Sequence, residues 1–109
     1  MTYKEVANVV KSFGLPFAYY SFPEGTAQAT PYVCYFYVDS DDVFADDTNY
    51  QPIRMLNIEL YTDTKDFDLE SQIETILKAN NLTYHKQEAY INSERMWQIA
   101  YEMEVVING

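Results

Sequence analysis

Between Asp39 and Tyr50 the chain reads DSDDVFADDTNY, with five aspartates at positions 39, 41, 42, 46 and 47. Carboxylates at such density can bind a hard cation, act as general acid and base, or present negative charge to a partner. Counted from Asp39, the aspartates at 39 and 41 fit the D-x-D opening of a calcium loop. The sixth position is then Phe44, where the sharp turn needs glycine, and the twelfth is Tyr50, where a bidentate glutamate belongs. The stretch is not an EF-hand. An irregular divalent site drawn from Asp39, Asp41, Asp42, Asp46 or Asp47 stays an alternative, and no metal is assigned.

The remaining candidates for chemistry are sparse. Cys34 is the single cysteine and lies in the apolar-aromatic run PYVCYFYV, so it reads as a buried small side chain rather than a nucleophile. His85 is the single histidine, and no local motif joins it to a nucleophile, although the fold could bring it near Cys34. One cysteine and one histidine do not make a structural zinc site. Three glycines in the whole chain leave little room for backbone phosphate cradles, and there is no GxGxxG, GxxxxGK or GxSxG run. Glu59, Glu102 and Glu104 could share one sheet face if their strands are neighbours, the one arrangement that would pair carboxylates for glycoside hydrolysis. A solvated or interface-facing surface accounts for them more simply. The sequence therefore supports no catalytic residue and no cofactor.

The acidic stretch also holds Val43, Phe44 and Tyr50. A loop that only solvates has no need of phenylalanine. Phe44 either folds back on its own core or docks on another subunit.

These residues must be positioned by a domain of 109 residues, enough for one core and too few for two. No segment has the apolar length to span a bilayer, and the first residues, MTYKEVANVVKSFG, lack the pattern of a secretion signal. A formal charge of −10 disfavours binding to nucleic acid or to anionic membranes, both of which require clustered lysine and arginine.

Thr2-Tyr3-Lys4-Glu5 forms a capping box ahead of Val6, Val9, Val10 and Phe13, spaced i, i+3, i+4, i+7; Gly14 and Pro16 end that helix. Strands are expected at 17–22, 32–38, from Ile53 onward, at 82–91 and at 95–107, the last two joined as a hairpin. A second helix, DFDLESQIETILKANN, carries Leu69, Ile73, Ile76 and Leu77 on one face, with Asn80 and Asn81 as terminators. The order α-β-β-β-α-β-β, with one apolar stripe per helix, predicts an α+β domain over 1–109: a mostly antiparallel sheet with two helices packed on one face. Its other face would carry Asn57, Glu59, Gln98, Glu102, Glu104 and several tyrosines.

Nearly the whole chain resembles a known group of proteins, most clearly in FADDTNY (44–50), IELYTDTKDF (58–67), ESQIE (70–74), Arg95-Met96-Trp97 and YEMEVVI (101–107). These pieces look like the small tail-terminator, or tail-completion, proteins of long-tailed phages and of prophages of Gram-positive bacteria, encoded among the neck and tail genes. The resemblance implies a structural virion subunit working as a ring of six copies at the head-proximal end of the tail tube, or in head-tail joining. Its implied partners are other copies of itself, the tail-tube protein and the head connector. It would be made in the host cytoplasm and then join the virion. The family offers no catalytic residue to carry over.

Beside that resemblance, physical argument places Asp39, Asp41, Asp42, Asp46 and Asp47 on the lumen or rim of the ring. There they would repel DNA in transit, with Phe44 and Tyr50 against a neighbouring subunit. The alternative is an acidic inhibitor that mimics DNA and binds a host DNA-processing protein. The clustering of acids in one loop and at helix starts speaks against it, because a mimic needs them spread at phosphate-like intervals.

Overall fold

A computed structural model describes residues 1–23, 28–38 and 53–108. The expected element order is present: α1 (Tyr3–Lys11), β1 (Phe17–Tyr19), β2 (Tyr32–Val38), β3 (Ile53–Thr62), α2 (Phe67–Ala79), β4 (His85–Ile91) and β5 (Met96–Val106). The five strands form one sheet in the order β1-β2-β3-β5-β4. Only the β1–β2 pair is parallel; β2–β3, β3–β5 and β5–β4 are antiparallel.

Local chemistry sets the helix ends. Thr2 Oγ1 accepts from the Glu5 N–H and the Glu5 carboxylate accepts from the Thr2 N–H, which closes the capping box of α1. Gly14, at φ 78°, follows the end of α1 in the left-handed region. At the end of α2, the N–H of Asn81 donates to Lys78 and that of Leu82 to Leu77, while Asn81 takes φ 59°. That is a Schellman closure, and Leu82 drops into the core as its apolar contact.

The strands alternate as the pattern demands. Val33, Leu56, Ile58, Leu60, Ile99, Tyr101, Met103 and Val105 point to one face and are buried there against Val6, Val9, Val10 and Phe13 of the α1 segment and Ile73 and Leu77 of α2. Both helices thus cover one face of the sheet. The register places Phe36, Asn57, Glu102 and His85 in one cross-strand row on the other face, with Cys34, Glu59, Ala100 and Gln87 in the next row and Tyr32, Tyr61, Gln98 and Ala89 in the third. No described element covers that face.

Two strands are shorter than expected. β1 stops at Tyr19 because Tyr20 adopts φ 68°, which turns the chain out of the sheet. β4 starts only at His85, after residues 80–82 have closed α2. No helix of the described residues is long and apolar enough to cross a membrane.

Candidate functional site

The seven residues expected to form a lumen or subunit contact, Asp39, Asp41, Asp42, Phe44, Asp46, Asp47 and Tyr50, lie outside the described residues. The strands on either side of them are described: Val38 ends β2, Ile53 begins β3, and Val38 pairs with Met55.

The described strands build one open sheet face. At one end it is aromatic. Tyr32 and Tyr61 stack across β2 and β3 with centroids 4.9 Å apart, Phe22 meets Tyr32 edge-on at 5.4 Å, and Tyr20 meets Phe36 at 5.7 Å. A depression of about 330 Å³ opens there, with Cys34, Met96 and Glu94 among its walls. The Tyr61 hydroxyl donates to Glu59 Oε1 at 2.8 Å and accepts from the Gln98 amide at 2.9 Å. Burial, more than any other cause, raises the Tyr61 pKa far above the phenol range, so this hydroxyl stays protonated. Toward the other end Asn57 faces Glu102, and both line a second depression of about 300 Å³ with Val38 and Met55. Asn57 Oδ1 is buried there without a hydrogen-bond donor among the described residues.

The register settles two chemical possibilities raised by the sequence. Cys34 and His85 are on β2 and β4, three strand spacings apart, which is about 14 Å. They do not form a dyad. Burial raises the Cys34 thiol pKa, and Glu59 directly opposite raises it further, so the sulfur is held as an unreactive thiol. Glu59, Glu102 and Glu104 do share the outer face, since β3 and β5 are neighbours, and Glu59 stands diagonal to Glu102. Only Glu102 lines the adjoining depression, while Glu59 is taken up by Tyr61. Among the described residues, no group of three or more histidines, cysteines or acidic side chains is arranged to hold a metal ion.

The helix-covered face carries the charge network that sequence patterning missed. Glu70 is 1 % exposed, on the buried side of α2. Lys65 Nζ reaches its carboxylate at 2.6 Å and Lys86 Nζ at 2.9 Å; Lys65 also binds Glu88 at 2.8 Å, and Lys86 binds Glu74 at 2.7 Å. The Tyr101 hydroxyl donates to Glu74 at 2.8 Å. Burial alone would lower both lysine pKa values, but the carboxylates outweigh it and the net direction is upward. Burial would likewise raise Glu74, and Lys86 and Tyr101 reverse it to a net lowering. Four elements are tied by this network: the β3–α2 connection, α2, β4 and β5. The one sequence signal was a glutamate at position 70, next to the apolar stripe of α2 rather than opposite it.

A second cluster lies under the start of α1. Tyr3 meets Tyr37 edge-on at 5.2 Å, and Arg54 donates to the Tyr3 hydroxyl at 2.7 Å with its guanidinium 5.1 Å from the Tyr37 ring centre. Tyr19 and Tyr35 complete the lining of a cavity of about 320 Å³. Burial, with smaller contributions from neighbouring tyrosines, pushes the Tyr37 pKa up to about 12.

The seven lysines and arginines of the chain are unevenly placed. Arg54 and Lys86 point to the helix-covered face, Lys4, Lys11 and Lys78 are on the helices, Lys65 precedes α2, and Arg95 sits in the β4–β5 turn. None occupies an outer-face position of the described strands. That face is acidic and aromatic, whereas the exposed stripe of α1 is basic.

No model of a known protein family matches the chain, and neither does any curated protein.

Proposed function

We propose that the chain is a structural subunit of a phage particle, a tail terminator or head-tail joining protein acting in a ring at the head-proximal end of the tail tube, and not an enzyme. The resemblance of residues 44–50, 58–67, 70–74, 95–97 and 101–107 to that family is the source of this reading. The observation that carries it in the structure is the open sheet face. A five-stranded sheet whose outer face no described helix or strand covers leaves an aromatic and acidic surface open to a partner, and a ring subunit needs two such surfaces.

The acidic balance fits the same role. A channel that passes DNA should not bind its phosphates, and a protein at −10 with no cation on its open face repels them. The stretch holding Asp39, Asp41, Asp42, Asp46 and Asp47 remains the proposed lumen or rim charge, and Phe44 and Tyr50 the proposed contacts to a neighbouring subunit. The protein would reach the virion from the host cytoplasm, with the tail-tube protein and the head connector as partners.

The test is capping of tail tubes. Purified tubes that continue to lengthen when free tube protein is added should stop lengthening when this chain is present, and the chain should be found at one end by labelled electron microscopy. Tubes that lengthen unchanged would refute the terminator role. Stable binding to a host DNA-processing enzyme, with inhibition competed by duplex DNA, would point instead to the DNA mimic.

A further inference from the structure

The uneven placement of cations has a geometric consequence. Lys4, Asn8 and Lys11 are spaced i, i+4, i+7 and are all exposed, so they form one stripe along α1, opposite the buried Val6, Val9, Val10 and Phe13. Within that stripe there is no acid; the nearest, Glu5, is engaged by the Thr2 N–H. On the far side of the sandwich, Glu102 and Glu104 alternate along β5 with no lysine or arginine at an outer-face position of the described strands, and Asn57 Oδ1, opposite Glu102, lacks a donor among the described residues. A lysine ammonium is the group that would complete both: it donates to an amide oxygen and pairs with a carboxylate.

We propose that copies of this chain join head to tail, the outer face of β3 and β5 of one copy receiving the Lys4–Asn8–Lys11 stripe of α1 of the next. The two surfaces lie on opposite sides of one subunit, so a chain cannot satisfy itself. The contact is heterologous: it leaves one face of each kind free until rotation closes the set. This deepens the ring reading above and rests on it for closure, while the pairing of faces follows from charge placement alone. The depression between Val38, Met55, Asn57 and Glu102 receives the lysine ends, and the stacked Tyr32 and Tyr61, two cross-strand rows away, provide apolar contact farther along the same face.

Charge reversal on each surface separates the possibilities. One variant carries Lys4→Glu and Lys11→Glu, the other Glu102→Lys and Glu104→Lys, all at exposed or half-exposed positions. Molar mass is measured by light scattering across micromolar to millimolar concentration, with thermal unfolding checked by circular dichroism. The wild type should associate, and each variant alone should weaken association at least tenfold. An equimolar mixture should recover it, because the basic sheet face of one variant then meets the acidic helix of the other. That recovery also shows that both variants fold.

Association that neither variant lowers would overturn the pairing and leave the ring reading to tube capping; the sheet face would then hold another occupant, whether residues 39–52 or a different protein. Failure of the mixture to recover would overturn it equally. So would a wild type that is monomeric throughout, in which case end-capping of tubes decides the ring reading by itself.

Discussion

At the scale of single residues, Glu70 and Cys34 make the sharpest statements. Glu70 is a buried anion held by two ammonium groups, so removing its charge leaves Lys65 and Lys86 partly desolvated with fewer partners. Loss of one member of a buried pair costs about 3–5 kcal/mol. Both lysines retain some solvent here, which places Glu70→Gln at about 3 kcal/mol, to be read from urea denaturation at neutral pH. The same network sets the pH response. Glu74 has a lowered pKa, so its contribution is present above the ordinary carboxylate range and is lost as pH falls through the folded value. Lys65 and Lys86 are raised, so theirs is present below the ordinary lysine range and is lost as pH rises through their folded values. Stability should therefore be flat from about pH 5 to about pH 10 as far as these groups decide it, and Glu74→Gln should shrink the acid limb. Cys34 follows the same logic in reactivity. With its pKa raised and its side chain buried, alkylation at pH 8 should be at least tenfold slower in the folded chain than in urea. Equal rates in both would show that the thiol is accessible.

At the scale of elements, the helix ends make separate claims. Thr2→Ala removes one half of the capping box and should cost about 1 kcal/mol. Asn81→Val forces a β-branched residue to φ 59° and should cost about 1–2 kcal/mol, whereas Asn81→Gly should be neutral or slightly stabilising; thermal unfolding distinguishes the three. These elements were legible in the sequence because their signals are local. The capping box, the i, i+3, i+4, i+7 spacing of Val6 to Phe13 and the alternation from Ile53 to Tyr61 all depend on near neighbours. The strand order was not legible, since it depends on pairings across many residues that no short pattern encodes. Tyr20 shows a smaller failure of the same kind. Its type favours a strand, and its φ of 68° is imposed where the Tyr20 N–H donates to Tyr35 O and the chain leaves the sheet. Glu70 was missed because a helix pattern read by hydrophobicity assigns acids to solvent, and only the spatial arrival of Lys65 and Lys86 makes its burial affordable. Of the candidate surface, the acidic and tyrosine content of the outer face was read from alternation in β3 and β5, while the basic stripe of α1 went unread because it matters only relative to that face.

At the scale of the whole molecule, two electrostatic effects oppose one another, and ionic strength separates them. A net charge of −10 makes any two copies repel at a distance, an effect spread over the molecular surface and screened within about 10 Å at 0.1 M salt. Contacts between α1 lysines and the Glu102 row act at hydrogen-bonding distance, partly removed from water, and yield to salt only at higher concentration. Adding salt from a few millimolar should therefore first strengthen association, as the long-range repulsion is screened, and then weaken it as the short contacts are screened too. Light scattering should find maximal molar mass at an intermediate ionic strength, on the order of 0.1 M, where the Debye length has fallen to about the size of a contact patch. Replacing Lys4 and Lys11 by glutamine keeps a clean comparison: the net charge becomes more negative and the specific contacts vanish. That variant should lose the falling limb and show only a gradual rise with salt, toward a weaker association driven by the aromatic surface. A wild type whose mass rises monotonically to molar salt would mean that apolar contact alone holds the copies together. A mass that only falls would mean that repulsion between copies is never limiting despite the charge, and that the acidic groups are already neutralised within the assembly.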